Sequence, residues 1–243
     1  MESSTTSTQE TTMRSTLTTT TALAALTLLA ACSNDSTAEP EARPSVTKAA
    51  VTPDYVVPGA SHLSGPARWG IQPFGDVDAP LAVLDVPSGF QGHESWVWTD
   101  EQGPRAFAQL SYWTPTSVMT DPCRRGSAAP VGPGVTDLVA ALQAQERTVT
   151  SRPERVTIDG HDGLYVELTT PPRLDHQCPA MHVWGLGDGG TREVEQRTTD
   201  RYWVLDVDGQ RVVVVAMTWT GARPDTVDLI TGVARGVTFV EPA

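Results

Sequence analysis

Asp175-His176-Gln177-Cys178-Pro179-Ala180-Met181-His182 brings four side chains of metal-binding type, His176, Cys178, Met181 and His182, into seven residues. Imidazole, thiolate and thioether together suit a soft ion such as copper. The set holds only while Cys178 keeps a free thiolate. Without it, two histidines and a methionine remain on a Pro-bearing loop, so a plain surface loop is expected and no metal site is assigned. Gly185-Leu186-Gly187-Asp188-Gly189-Gly190 matches Gly-x-Gly-x-x-Gly by letter. A dinucleotide site needs a strand before that run and a helix after it, whose amides meet the pyrophosphate. Thr191 to Arg197 reads as strand instead, so a hairpin loop is expected and no cofactor.

Nucleophilic hydrolysis finds little support. No Gly-x-Ser-x-Gly occurs in the chain, and His93-Glu94 is followed by Val97 where a zinc protease carries its second histidine. The one enzymatic candidate is His161-Asp162 with neighbouring carboxylates, the nucleus of a hydrolase or transferase. Such pairs commonly occupy solvated turns, so no catalytic residue is assigned. Tryptophan is the remaining chemical resource, at Trp96, Trp98, Trp113, Trp184, Trp203 and Trp219. Exposed indoles would suit a sugar or an apolar ligand. Trp96 and Trp98 alternate on one strand face, however, and that spacing predicts core.

The front of the chain sets the compartment. Met13-Arg14, a Thr-rich stretch and Ala22-Leu23-Ala24-Ala25-Leu26-Thr27-Leu28-Leu29-Ala30-Ala31 read as a basic start, a short apolar run and small residues at a cleavage point. The run is about ten residues, against the ~20 that span a bilayer as a helix, so an export signal over 1–31 is expected rather than a permanent anchor. Glu2 and Glu10 are out of place ahead of such a signal, which points to Met13 as the true start. Leu29-Ala30-Ala31-Cys32 resembles the lipobox of bacterial lipoproteins. That resemblance implies cleavage before Cys32, a diacylglycerol on its sulfur, and a protein held on the extracytoplasmic side of the cell membrane. Residues 32–59, with Pro40, Pro44, Pro53 and Pro58 and few large apolar side chains, read as a disordered tether.

With Cys32 lipidated, Cys123 and Cys178 are the remaining thiols, and in an oxidising compartment an even pair predicts a Cys123–Cys178 disulfide. The formal charge of -12, from 29 acids against 17 bases, speaks against a nucleic-acid partner, because polyphosphate binding needs Lys and Arg in excess.

Residues 60–243 read as one α+β domain. Leu81–Val86, Ser95–Thr99 and Arg105–Trp113 have strand character. Val135, Leu138, Val139 and Leu142 recur at helical spacing, with Asp137 in the first turn. Arg155–Ile158 pairs with Leu164–Thr169 across Asp159-Gly160, and Tyr202–Val207 with Arg211–Trp219 across Asp208-Gly209. Val212-Val213-Val214-Val215 lacks alternation, as a strand covered on both faces would, so helices should pack on at least one side of an antiparallel sheet. A second helix opens at Pro224, with Val227, Leu229, Ile230 and Val233 on its buried side, and Val237–Val240 closes the chain as a strand.

The run Val135 to Leu142, the segment Val156 to Leu168 and Trp203 to Arg211 are similar to an uncharacterised family of exported or membrane-anchored actinobacterial proteins. The closing hairpin, helix and short strand also resemble the Mog1/PsbP-like α/β/α sandwich. Neither resemblance brings a catalytic motif. The functional expectation is therefore a lipid-anchored, non-enzymatic domain that binds a small molecule or a protein at the cell envelope.

Overall fold

The computed structural model describes residues 55–56, 63–64, 66–101, 103–173, 178 and 180–241. The leader, Cys32, most of the tether and His176 lie outside the described residues. Val56, inside the segment read as tether, forms a parallel bridge with Trp69.

The chain lays down β1 (Leu63–Ser64), β2 (Ala67–Ile71), β3 (Leu81–Val86), β4 (Phe90–His93), β5 (Trp96–Thr99), β6 (Ala108–Trp113), β7 (Ser117–Met119) and β8 (Ala128–Pro130). Helix α1 (Val135–Gln143) comes next, then β9 (Val149–Thr150), β10 (Glu154–Ile158), β11 (His161–Thr169), β12 (Met181–Gly185), β13 (Thr191–Val194), β14 (Thr198–Val207) and β15 (Gln210–Trp219). Helix α2 (Pro224–Arg235) and β16 (Thr238–Val240) complete the fold. The class is α+β with antiparallel pairing, as expected, but the strands form three sheets rather than one. A nine-stranded sheet runs β1-β4-β5-β6-β15-β14-β11-β10, with β9 also on β11; a four-stranded sheet runs β13-β12-β7-β8; a three-stranded sheet runs β16-β3-β2.

The two long hairpins follow from their turns. Asp159 and Gly160 have φ of 51° and 81°, and Asp208 and Gly209 have φ of 53° and 87°. Two successive positive φ values make a turn whose twist matches paired strands, and an Asp-Gly pair adopts it with little strain. From the second turn, β14 and β15 pair over their whole length, Thr198 opposite Trp219 through Val207 opposite Gln210.

The valine run of β15 divides between two cores. Val212, Val214 and Ala216 pack with Trp69, Leu84, Phe90, Tyr112 and Trp203, over which α2 sets Ile230, Val233 and Ala234. Val213 and Val215 pack on the opposite face with Val166, Tyr202 and Val204, beneath Leu138, Val139 and Leu142 of α1 and Val183 and Trp184 of β12. Both faces of the central strand are thus covered, one by each helix. Each fully buried valine contributes roughly 1.5–3 kcal/mol by leaving water.

Helix α1 begins where the Asp137 carboxylate accepts the Gly134 N–H at 3.0 Å. Arg211 fastens the loop before it, donating to the carbonyls of Gly132, Gly134 and Pro115. In α2 the buried residues are Thr226, Ile230, Val233 and Ala234. Leu229, expected on that buried side, is 43% exposed. The helix is rolled so that the small residues Thr226 and Ala234 approach the sheet and Leu229 stays outside.

Candidate functional site

Residues directly opposite each other in an antiparallel sheet point to the same face, so the register defines rows across it. On the α1 side of the nine-stranded sheet, one row reads Gln91, Trp98, Gln109, Met217 and Asp200. The next reads His93, Trp96, Ser111, Val215 and Tyr202. At the β14 and β15 ends of these rows Asp200, Tyr202 and Val215 are buried and Met217 is half-buried, while at the β5 end Trp98 is half-buried and Trp96 is 38% exposed. The expectation that both indoles belong to the core is therefore corrected. Their strand spacing is as read, but the covering layer stops short of them.

The gap between that open part of the sheet and β13 forms a cleft of about 500 Å³. Phe74, Trp96, Trp113, Gln109 and Met217 line one wall, and β13 with Asp188 of the preceding loop lines the other. The aromatic wall is tightly assembled. Phe74 stacks on Trp113 with ring centres 4.3 Å apart and meets Trp96 edge-on at 5.8 Å. Trp96 in turn meets Trp98 edge-on at 6.2 Å. A neighbouring hollow of about 670 Å³, lined by Arg105, Phe107, Arg197 and Trp219, shares Glu195 with the cleft.

Arg192 of β13 lines the cleft and is 5% exposed. Its guanidinium lies against Trp113 and Trp184, 5.4 and 5.7 Å from the ring centres. Its Nη2 donates to Asp200 Oδ2 at 2.5 Å, and the Tyr202 hydroxyl donates to the same oxygen at 2.8 Å. Burial works against the charge on Arg192, yet the Asp200 carboxylate, helped by Tyr202, holds its pKa above the ordinary arginine value. Burial, reinforced by Asp200, raises the Tyr202 phenol well above its ordinary range. The network is thus a neutral ion pair with a neutral phenol. It is also incomplete: Arg192 Nε, Asp200 Oδ1 and Trp184 Nε1 are buried and have no hydrogen-bond partner among the described residues. Buried polar atoms are nearly always satisfied, so these three stand out from the rest of the core.

Cys123 and Cys178 form the disulfide expected from the sequence, with Cα atoms 4.7 Å apart, and so join the loop before β8 to the loop before β12. With its sulfur bridged, Cys178 offers no thiolate. Met181 is fully buried, and the nearly buried His182 ring places Nδ1 3.1 Å from Thr191 Oγ1. Among the described residues no group of three His, Cys, Asp or Glu side chains is placed to hold a metal ion. The Gly185 to Gly190 run links strands β12 and β13 as a hairpin, and its Asp188 lines the cleft.

His161 and Asp162 are successive residues of β11, so their side chains leave opposite faces. His161 sits edge-on to Phe239 at 5.5 Å, while Asp162 accepts a hydrogen bond from Thr157 at 2.7 Å. They do not converge on a common centre. Arg192, Asp200 and Tyr202 were not anticipated as site residues. Locally they sit in polar stretches, Thr191-Arg192-Glu193 and Thr198-Thr199-Asp200-Arg201, which do not set them apart.

No family model matches the chain, and no curated protein matches its sequence.

Proposed function

We propose that this chain is a lipid-anchored extracytoplasmic binding protein, joined to the membrane through Cys32, that holds a small ligand without covalent chemistry in the cleft between β13 and the open end of the large sheet. The observation that carries the reading is a cleft whose aromatic wall leaves Trp96 exposed and faces a polar rim of Asp188, Glu193 and Glu195. Ligand sites are mostly apolar with a few placed polar groups, and this cleft has that composition. The Cys123–Cys178 disulfide supports an oxidising compartment. Among the described residues no helix is long and apolar enough to cross a membrane, so attachment in this reading rests on the lipid at Cys32.

The resemblance to exported actinobacterial proteins agrees with that address. The α/β/α sandwich is likewise our reading of the architecture, supported by α1 and α2 lying on opposite faces of the nine-stranded sheet.

Two measurements test the proposal. Metabolic labelling with an alkyne fatty acid should tag the wild-type chain and leave Cys32→Ala unlabelled and released from membranes. Equal labelling of both would remove the anchor. Titration of the chain with envelope extracts should shift its tryptophan emission in wild type and not in Trp96→Ala, and an identical response in both would remove the cleft.

A further inference from the structure

The proposed small-molecule cleft has a charge and hydrogen-bond pattern that narrows its ligand class, and the narrower assignment rests on that reading of the cleft. Inside, the positive charge of Arg192 is cancelled by Asp200. At the mouth, Asp188, Glu193 and Glu195 line the cleft and are exposed. An anion entering would meet three carboxylates, with the Arg192 charge behind them already neutralised. A neutral molecule meets no such penalty, and a small cation, which the rim would not repel, is the competing occupant that titration separates from it.

The polar groups are of both kinds. Gln109 offers an amide that both donates and accepts, and the rim carboxylates only accept. A ligand that satisfies such a set must carry groups that donate and accept in turn, as hydroxyls do. The wall of Phe74, Trp96 and Trp113 calls for a ring with a C–H face, because the faces of aromatic rings are electron-rich and attract weakly positive hydrogens.

An extended peptide fits less well. It would have to add to the outer edge of β13, which has four residues, carries Glu193 and is followed by Glu195. Just beyond that strand the Glu195 carbonyl already accepts from Thr170 and Thr198, at 2.9 and 3.0 Å. Short, charged edges with their groups satisfied resist strand addition.

We infer that the cleft binds a neutral saccharide, stacked on Trp96 and Phe74 and hydrogen-bonded to Gln109 and the Glu193–Glu195 rim. The hollow that shares Glu195 would receive a further sugar unit.

The test uses the full chain extracted from membranes in a polyoxyethylene detergent, which has neither a sugar nor a charged headgroup. Calorimetry and tryptophan emission monitor titration with neutral tetrasaccharides of glucose, mannose and N-acetylglucosamine, an anionic galacturonate tetrasaccharide, tetramethylammonium, and a pool of extended peptides. At least one neutral tetrasaccharide should bind, about tenfold or more tighter than the galacturonate. Trp96→Ala should weaken it about tenfold, with an unchanged melting temperature because Trp96 lies outside the cores. Glu193→Gln provides a second variant and should narrow the preference over galacturonate.

Binding of the cation, the anion or a peptide in a Trp96-dependent manner, without the neutral sugars, overturns the saccharide inference and leaves the cleft reading standing. Sugar binding indifferent to Trp96→Ala also overturns it. If no probe of any class binds, the cleft itself is no small-molecule site and both readings fall.

Discussion

Replacing Asp200 by alanine would remove the counter-charge that Arg192 holds in the protein interior. The Arg192 side chain is 6% exposed and that of Asp200 fully buried. Arginine cannot escape by losing its proton, so the variant must either bury an unpaired charge or open the structure to hydrate it. Breaking a buried pair in this way costs about 3–5 kcal/mol. The Tyr202 hydroxyl would lose its acceptor as well, but it belongs to the same network, so its loss does not simply add. We expect a net destabilisation of about 4 kcal/mol, which in a domain of this size lowers Tm by roughly 8–16 °C. Urea and thermal unfolding followed by tryptophan emission would measure it. The informative comparison is the triple variant Arg192→Met, Asp200→Leu, Tyr202→Phe, which replaces the whole network by apolar groups of similar size. Because such replacements are often neutral or stabilising, the triple variant should recover most of the loss. A loss below about 1 kcal/mol in Asp200→Ala, or a triple variant as unstable as the single one, would refute the account of a buried pair that balances charge without adding stability.

Other expected outcomes derive from the same structure. Cys123→Ser/Cys178→Ser opens a loop closed over a separation of 55 residues, and chain entropy puts the loss at about 4 kcal/mol, checked by melts with and without reductant. Gly163→Ala would drive a methyl group into the carbonyl oxygen of Val204 on the paired strand, so β11 and β14 must part. A loss of about 1–3 kcal/mol is expected in urea unfolding. The phenol pKa values of Tyr112, Tyr165 and Tyr202 are all raised, by burial first in each case. A raised pKa gives stability that is complete below the unfolded value of about 10 and declines above it, because the unfolded chain sheds the proton first. Alkaline titration at 295 nm should therefore show most of the phenolate signal arriving with unfolding, and a smooth rise near pH 10 for all four tyrosines would contradict it.

What the sequence made legible depended on how local each determinant was. The Asp208-Gly209 and Asp159-Gly160 hairpins could be read because each turn's φ values are dictated by two adjacent residues. Helix α1 could be read because Leu138, Val139 and Leu142 repeat at its period. The exposure of Trp96 and Leu229 could not, because local spacing tells which residues share a face but not how far the opposing layer extends over it. The division of the strands into three sheets was hidden for a related reason. Strand β12 has the same apolar character as β14 and β15, and only its long-range pairing, Trp184 to Val118 of β7, removes it from the large sheet. The candidate site is the least local feature of all. Arg192 reaches Asp200 from a different sheet, and the aromatic wall draws Phe74, Trp96 and Trp113 from three separate parts of the chain.

The two costs borne at this cleft have one explanation in common. An exposed indole beside a half-buried one forgoes apolar burial that β13 could provide by moving closer. A buried ion pair with orphaned Nε and Oδ1 atoms forgoes the stability of a plain apolar filling. Either feature alone could be a local imperfection of packing. They meet at one cavity, however, where the Arg192 guanidinium lies against Trp113 in the wall that carries Phe74 and Trp96. A ligand stacked on that wall would cover the exposed indole, so part of the binding strength would come from burial the empty fold forgoes. The triple variant, made apolar at Arg192, Asp200 and Tyr202, should therefore keep its stability and, with Trp113 no longer held by the guanidinium, bind its ligand more weakly. Retention of full affinity in that variant would show the network to be incidental to binding.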